Sequence, residues 1–252
     1  MQLTRRKLIK SGLLASALAC GGGIAAVLAK RYGLVPPDSG GLYGLGETLT
    51  YASQRILFSH QSLAREFSHN QISTNFPGFG TVMPDYQPYF FSMVEGFKDW
   101  RLVIDGLLAK RLMLSLSDIK QLPSRTQITE HICEEGWSAI AEWTGVPLSN
   151  VLNVAGIRPE ARYVLFACVD GHWGSIDMAD ALHPQTLLAY RMNGQDLSVA
   201  HGAPVRLRVE RQLGYKSLKY IARIRVVDSL KAIGKGLGGS DPEAGYSWYA
   251  GI

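Results

Sequence analysis

Residues 180–228, DALHPQTLLAYRMNGQDLSVAHGAPVRLRVERQLGYKSLKYIARIRVVD, carry the clearest strand pattern in the chain. Within them, TLLAYRMNGQDL (186–197) contains an Asn-Gly pair at 193–194, the strongest short-range signal of a β-hairpin. Two further segments, APVRLRVE (203–210) and KYIARIRVV (219–227), alternate apolar and polar residues with period two. The block therefore predicts several strands joined by short turns.

Upstream segments add further elements to this sheet. WRLVIDG (100–106) predicts a strand that ends in a tight Asp-Gly turn, and RYVLFACVDG (162–171) has the continuous apolar run of a buried central strand. SLSDIKQLP (115–123) predicts a short helix with a serine cap. SAIAEWTGVPLSNVLNVAG (138–156) places apolar residues at broadly helical spacing, interrupted at 145–147. The prediction is an α+β fold with a single mixed-sheet domain.

The same patterns divide the chain into four parts. Residues 99–228 form the predicted domain. Residues 30–98 lack periodicity and are rich in Gly, Pro, Ser and aromatics, which predicts an N-terminal arm that wraps the domain or contributes to a site. Residues 229–252 are glycine-rich and aromatic and predict an ordered C-terminal arm. Residues 1–29 are predicted to be a targeting element.

The N-terminal segment also accounts for the net charge of +5. The first 30 residues contain five basic residues and no acid, and the remaining 21 basic residues equal the 21 acidic ones in number. A neutral body without a basic stripe excludes nucleic acid as the expected partner. TRRKLIK (4–10) and the apolar run 11–29 resemble a twin-arginine export signal, with cleavage after Ala29 possible. This predicts a periplasmic protein; an uncleaved membrane anchor is the alternative.

Three cysteines are present, and Cys20 lies in the predicted signal. The other two are Cys133, in HICEEGWS (131–138), and Cys168. In an oxidising compartment they could form a disulfide; a buried free thiol, a nucleophile or a metal ligand are the alternatives. The absence of CxxC, HExxH and closely spaced histidine pairs argues against a classical zinc site, and there is no G-x-S-x-G.

The segment HICEEGWSAIAEWTGVPLSNVL resembles the one around the molybdenum-ligating cysteine of the sulfite-oxidase superfamily, with its C-x-E-x-W-S core. Within it, the likeness is greatest to the bacterial protein-methionine-sulfoxide reductase catalytic subunits and their relatives. Residues 180–228 resemble the pterin-binding block of the same superfamily, including the HGAPVRL turn and the GYKSLK loop, and NFPGFG (75–80) is a weaker third match. Together the three motifs extend over roughly residues 70–228.

The resemblance implies a molybdenum–molybdopterin cofactor with Cys133 as the metal ligand, since a soft thiolate suits this metal. The matching cofactor-binding positions are Asn75, Pro77, Gly78, Cys133, Cys168, His201, Arg206, Ser217, Leu218 and Lys219. Arg206 would grip the pterin phosphate, although its alternation with apolar neighbours also fits an exposed strand charge. Cys168 stands where relatives have threonine, which leaves a Cys133–Cys168 disulfide open.

The reaction implied is two-electron oxygen-atom transfer. The arginine-rich G-N-R-R run of sulfite oxidases is absent after Cys133, so reduction of an S-oxide or N-oxide, such as methionine sulfoxide in proteins, is expected ahead of sulfite oxidation. His172 is a candidate proton donor, and Glu135, the acid of C-x-E, a candidate supporting residue. A cofactor-binding electron-transfer protein without turnover, and a disulfide-stabilised binding module without molybdenum, are the rival functions.

The partners follow from the same resemblance. The chain shows no heme domain or dimerisation domain of the animal sulfite-oxidase type, so we expect a monomer that receives electrons from a separate membrane heme protein or soluble cytochrome. The twin-arginine machinery, which exports proteins already folded, is the second expected partner.

Overall fold

The computed structural model describes residues 45–57 and 63–252, so the predicted export signal and Cys20 lie outside the described residues. The chain divides into two compact units, Met1–Ser59 and His60–Ile252. In the first unit the described element is helix α1 (Leu45–Leu57). None of the helices in the described ranges combines the length and apolarity that crossing a bilayer requires.

The second unit contains two β-sheets in its described residues. The first is mixed and has the strand order β2-β1-β10-β5-β6, with β1 and β10 parallel and the other pairs antiparallel. Its strands are β1 (Arg101–Gly106), β2 (Leu112–Ser115), β5 (Tyr163–Cys168), β6 (Trp173–Asp177) and β10 (Ile221–Val227).

The second sheet is antiparallel in all its pairs and has the order β3-β4-β7-β8, with β9 paired to β7. Its strands are β3 (Arg125–Ile132), β4 (Ser138–Pro147), β7 (Leu187–Met192), β8 (Gln195–Asp196) and β9 (Arg206–Arg208). The remaining helices of the unit are α2 (Gln87–Val94), α3 (Leu116–Gln121), α4 (Leu148–Ala155), α5 (Met178–Ala181) and α6 (Ser240–Glu243).

Local signals explain most of these elements. Asn193 and Gly194 both have positive φ, 49° and 74°, as the two-residue turn between β7 and β8 requires. Ser115 caps α3 by accepting a hydrogen bond from the Asp118 N–H. The inward side chains of the mixed sheet and the apolar face of α4 join one core cluster, including Leu102, Ile104, Leu148, Val151, Leu152, Val164, Phe166, Ile224 and Val226. The α+β class and the mixed sheet are confirmed, and the structure adds a second sheet.

The helical spacing expected over the first half of 138–156 is wrong, because residues 138–147 form strand β4. Burial alternates along it, with Ala139, Ala141 and Trp143 on the inward face. β4 is paired on both edges, by β3 and β7, and these tertiary partners outweigh the local spacing. Gly145 is a point of close strand approach, since a Cβ there would lie 2.4 Å from the Leu188 carbonyl oxygen.

Three strands, β2, β3 and β6, were not anticipated from the sequence, and the strand expected at 203–210 is reduced to Arg206–Arg208. These are short or partly polar segments whose pairing depends on distant strands, so their local pattern is weak. The expected strands at 100–106, 162–171 and 219–227 are confirmed.

Candidate active site

A cleft of about 230 Å³ lies in the second unit, where several loops of the two sheets converge. The β3–β4 hairpin, the segment 76–81, the turn before β9, the loop 214–219 and the loop between β5 and β6 all contribute lining residues. Of the residues predicted from sequence, it brings together Pro77, Cys133, His172, His201, Arg206, Ser217, Leu218 and Lys219.

Cys133 is held at the tip of the β3–β4 hairpin by a tight turn. Its N–H donates to the Trp137 carbonyl at 2.9 Å, and its carbonyl accepts from the Gly136 N–H at 3.1 Å. Gly136 has φ 87°, a left-handed conformation that favours glycine and explains the glycine in C-E-E-G-W. The turn fixes the thiol at the cleft, where Cys133 is 5% exposed.

The surroundings of Cys133 favour the protonated thiol in the absence of a bound cation. Burial raises its pKa, a hydrogen bond from the Glu135 backbone N–H opposes this, and the negative charge of Glu134 raises it again. Glu134 Oε2 lies 3.7 Å from Sγ and accepts a 3.2 Å hydrogen bond from the Tyr215 N–H. A metal binding at this sulfur therefore has to displace a proton.

Arg206 is buried at the cleft, so the alternative of an exposed strand charge is wrong. Its Nη1 donates to the His201 carbonyl at 3.1 Å and its Nη2 to the Ser217 carbonyl at 2.7 Å. Among the described residues its Nε has no hydrogen-bond partner. Burial, and then the charge of Arg208, lower the pKa of Arg206 to about 9. A buried guanidinium with a donor to spare is suited to an anionic ligand.

Lys219 and His201 fasten the segment 76–81 to the same part of the cleft. Lys219 Nζ donates to the carbonyls of Phe79 at 2.7 Å and Ala200 at 3.0 Å. Burial, and then Arg206, lower the pKa of Lys219 to about 8. His201 Nε2 lies 3.1 Å from the Phe76 carbonyl oxygen and donates to it. We call His201, Arg206 and Lys219 the basic wall of the cleft.

A buried charged network supports the basic wall. Arg208 makes two hydrogen bonds to the Glu210 carboxylate, at 2.9 and 2.7 Å, and its Nη1 donates to His131 Nδ1 at 2.7 Å. The Arg208 and Arg206 guanidinium carbons lie 4.4 and 5.1 Å from the Trp143 ring centroid. Burial and the Arg208 charge lower the pKa of His131 to about 2, so this ring is neutral.

A second group of cleft residues has the opposite charge. Asp170 and His172 come from the loop between β5 and β6, and Asp241 comes from α6 in the C-terminal arm. His172 Nε2 lies 3.0 Å from Asp241 Oδ2, and the His172 N–H donates to Asp170 Oδ1 at 3.2 Å. The hydrogen bond to Asp241 raises the pKa of His172, against the effect of burial. We call Asp170, His172 and Asp241 the acidic wall.

Four predicted site residues are not among those lining the cleft. Asn75, Gly78 and Glu135 are exposed, and Cys168 is buried outside the lining. The carboxylate near the thiol is Glu134, one position before the expected Glu135, because the hairpin turn directs successive side chains differently. Cys133 and Cys168 are both free thiols, so the disulfide alternative is wrong.

Several lining residues were not predicted from the sequence, chiefly Glu134, Asp170, Tyr215 and Asp241. Asp170 and Tyr215 adjoin predicted positions and could have been proposed from that proximity. Asp241 lies in the C-terminal arm, beyond the motifs, and no local signal in the arm indicates that it reaches the cleft.

Residues 91–232 match the family model described as the oxidoreductase molybdopterin binding domain. The chain belongs to this family. It is 42% identical over 198 residues, 79% of this chain and 71% of the relative, to YedZ1 of Azospira oryzae, which carries the provisional name protein-methionine-sulfoxide reductase subunit. It is 32% identical over 178 residues, 63% of this chain and 60% of the relative, to the protein-methionine-sulfoxide reductase catalytic subunit MsrP of Campylobacter jejuni.

Two further similarities are to an uncharacterised protein and a solved structure. The uncharacterised oxidoreductase YuiH of Bacillus subtilis is 30% identical over 158 residues, 62% of this chain and 76% of the relative. The sulfane dehydrogenase SoxCD from Paracoccus pantotrophus is similar with a TM-score of 0.50 and 28% identity, covering 52% of this chain and 39% of that one. The domain is thus an enzyme domain of the sulfite-oxidase superfamily, and this chain spans only part of several relatives.

The residues of the cleft fit a molybdopterin cofactor. The pterin's phosphate and many hydrogen-bonding groups need a cationic, largely buried surface, which the basic wall provides with one unpartnered donor at Arg206 Nε. The described residues contain no group of three His, Cys, Asp or Glu side chains that could hold a metal.

Proposed function

We propose that this protein is a molybdopterin-dependent reductase of S-oxides, with methionine sulfoxide as the substrate class. One observation carries the proposal: a buried thiol, a cationic wall and a protonatable histidine line one cleft. The names of the relatives from Azospira oryzae and Campylobacter jejuni support this substrate. The reaction consumes the sulfoxide, two electrons and two protons, and it yields the sulfide and one water.

The cleft residues have separable roles in this proposal. Cys133 ligates molybdenum, and Arg206 binds the pterin phosphate. Lys219, whose ammonium group donates to the Phe79, Thr81 and Ala200 carbonyls, attracts the phosphate by its charge. Pro77 and the backbone at Ser217 and Leu218 supply further contacts to the pterin; Asn75, Gly78 and Cys168 stay weaker candidates because they lie outside the lining. When bound, the molybdenum–pterin group supplies the two-electron redox chemistry.

The carboxylates that line the cleft support an uncharged substrate over sulfite. Glu134, Asp170 and Asp241 contribute three carboxylates to the cleft, and these repel a sulfite anion more than a neutral sulfoxide. His172 lines the same cleft and donates a proton to the oxygen that leaves as water. Sulfite oxidation is the second candidate, and a cofactor-binding electron-transfer protein without turnover is the third.

The electrons come from a separate protein in this proposal, a membrane heme protein or a soluble cytochrome. The supporting observation is the family relationship to proteins named as subunits of a reductase. The paired arginines at 5 and 6 support export through the twin-arginine route to the periplasm. The export is tested by deleting residues 1–29 and following the location and cofactor content of the product.

The function is tested with protein purified after native export and supplied with a reduced viologen dye as electron donor. We expect turnover of methionine sulfoxide by the wild type and its loss, by at least about a thousandfold, in Cys133→Ser. Sulfite oxidation with a cytochrome acceptor is measured in parallel. Turnover of sulfite alone would replace the proposal with the second candidate. Molybdenum-loaded protein inert toward both substrates would favour the electron-transfer candidate.

A further inference from the structure

The C-terminal arm is fastened to the loop and strand that carry His172. The Trp173 N–H donates to Ser240 Oγ at 3.1 Å, and Trp248 Nε1 donates to Ser175 Oγ at 2.9 Å. Gly239 lies so close to Gly174 that a Cβ on Gly239 would be 3.1 Å from the Gly174 Cα. These contacts bracket Asp241 in the chain and hold it beside the cleft.

A buried lysine, Lys216, also binds the C-terminal arm. Lys216 Nζ donates to the Ser175 and Trp248 carbonyls, both at 2.7 Å. The Tyr215 hydroxyl donates to the Ser247 carbonyl at 2.7 Å. The arm is thus tied both to β6 and to the loop that supplies Ser217 and Lys219, so its position is set by the walls of the cleft.

Asp241, held by these contacts of the arm, has its carboxylate against His172 in the cleft. Its Oδ2 lies 3.0 Å from His172 Nε2, while the side chains of Asp241 and His172 are 18% and 36% exposed. Both residues line the cleft that also contains Cys133. A carboxylate at one ring nitrogen fixes the orientation of an imidazole and stabilises its protonated form.

We propose that Asp241, presented by the C-terminal arm, is a positioning residue that orients His172 and keeps it protonated as the proton donor of the reaction. This inference rests on the proposed function for its catalytic part. His172 gives one of the two protons to the departing sulfoxide oxygen and is reprotonated from solvent, which also supplies the second proton. The two electrons come from the heme-type partner, and Asp241 stays a carboxylate throughout.

Several charged groups surround this pair. Asp170, on the same loop, adds to the rise in the pKa of His172 that the Asp241 hydrogen bond causes, while burial opposes both. Glu134, Arg206 and Lys219 line the cleft with it. In Asp241→Asn the pKa of His172 should fall, but the negative charge of Asp170 remains and should still raise it in part.

The coupling is tested first without turnover, by NMR titration of histidine-labelled protein. The chain has six histidines, and His172→Gln identifies the signal by its loss. We expect His172 to titrate above the ordinary histidine range of about 6.5 in the wild type and at a lower pH in Asp241→Asn. Glu243→Gln is the matched control: Glu243 lies on the same short helix, accepts from the Lys235 N–H and is outside the cleft lining.

The catalytic part is tested by the pH dependence of methionine sulfoxide reduction. We expect His172→Gln to lower kcat by about a hundredfold or more. In Asp241→Asn the fall of kcat at high pH should begin at a lower pH than in the wild type. On this high-pH side, kcat of the variant should be lower than that of the wild type by about tenfold for each unit by which the pKa of His172 has fallen. The Glu243→Gln profile should coincide with that of the wild type.

The outcomes separate this inference from the proposed function. Equal His172 titration in wild type and Asp241→Asn would overturn the inference, whatever the substrate. A shifted titration with superimposable pH profiles would overturn the catalytic role of the pair. A shifted titration in molybdenum-loaded protein that turns over no sulfoxide would leave the coupling supported and refute the proposed function instead.

Discussion

The two walls of the cleft are held in different ways. The basic wall is supported from behind by the buried Arg208–Glu210 ion pair and by the rings of neutral His131 and Trp143. Arg208, His131 and Trp143 belong to strands of the second sheet, and Glu210 follows β9. The acidic wall is held by Lys216 and by hydrogen bonds of serine and tryptophan side chains that connect β6 with the C-terminal arm. The support of the basic wall comes largely from the second sheet, and the acidic wall depends on a distant segment of the chain.

This difference matches a division of roles. A permanently bound cofactor needs a rigid surface, which a buried ion pair in a sheet provides. The wall proposed to meet the substrate carries its titratable histidine on a loop and takes its carboxylate from the arm. The arm therefore sets the surroundings of His172, and through Tyr215 and Lys216 it also contacts the loop that carries Lys219.

Glu210→Ala tests the support of the basic wall and should have the largest effect on stability. Arg208 and Glu210 have side chains 1% and 0% exposed, so the substitution leaves a buried, uncompensated cation. We expect a loss of about 3–5 kcal/mol in the free energy of unfolding, measured by urea denaturation. A loss below about 1 kcal/mol would show that the network is solvated and would remove the distinction between the walls.

Arg206→Met should reduce cofactor content while leaving a folded protein. The substitution removes the buried guanidinium and its unpartnered Nε, and we expect pterin occupancy to fall by about tenfold or more, as for loss of one charged hydrogen bond. Fluorescence of the oxidised pterin measures the occupancy. The matched control is Arg225→Met, an exposed arginine on β10, which should retain full occupancy. Equal occupancy in both variants would contradict the assignment of the basic wall.

Lys216→Met tests how the acidic wall is held. The substitution removes the donor to two carbonyls, which destabilises the fold, and it also removes a buried charge, which offsets part of this. We expect the free energy of unfolding to fall by about 1–3 kcal/mol. Faster hydrogen exchange in residues 238–248 should accompany it. The exposed Lys110→Met is the control and should change stability by less than about 0.5 kcal/mol. Unchanged exchange in the arm would show that Lys216 does not hold it.

The difference in stability between the wild type and Lys216→Met should depend on pH, with a sign that the pKa of Lys216 determines. Burial lowers the pKa of Lys216 to about 8, below the unfolded value of about 10.4. The unfolded state thus binds more protons between these values, and the wild type gains stability relative to Lys216→Met as pH rises through that window. Below pH 8 the cost of the buried charge is present in full. A difference between the two proteins that is constant from pH 7 to 10 would contradict this assignment.

Asp105 lies outside both walls, and Asp105→Asn should have the smallest effect on stability of these substitutions. Partial burial raises the pKa of Asp105, but hydrogen bonds from Arg223 and Arg225 lower it overall. Because both arginines are about half exposed, we expect the substitution to lower the free energy of unfolding by less than about 1 kcal/mol. This contribution is present above the unfolded pKa of about 3.9 and is lost as pH falls through the folded value. Urea denaturation at pH 7 and pH 3 checks it.

The sequence predicted the basic wall better than the acidic one, for a physical reason. Arg206, Ser217 and Lys219 lie within one continuous motif, 180–228, whose strand and turn pattern is local. Asp241 reaches the cleft only through hydrogen bonds formed after the arm has packed against β6. Such a contact has no signature in the arm itself.

The fold shows the same limit. The Asn193-Gly194 hairpin and the Ser115 cap were predicted because their signals lie within a few residues. The spacing of apolar residues over 138–147 favours a helix, but pairing on both edges with residues far away in sequence determines a strand. The position of Glu134, in place of Glu135, likewise depends on the turn geometry that Gly136 permits.

The most direct test of the account is a molybdenum and pterin analysis of exported wild type and Cys133→Ser, combined with X-ray absorption at the molybdenum edge. We predict about one molybdenum and one pterin per wild-type chain. In Cys133→Ser the metal should be lost, or retained with one sulfur ligand fewer. Folded wild type without molybdenum, or an unchanged sulfur coordination in the variant, would contradict the assignment of Cys133 and with it the proposed function.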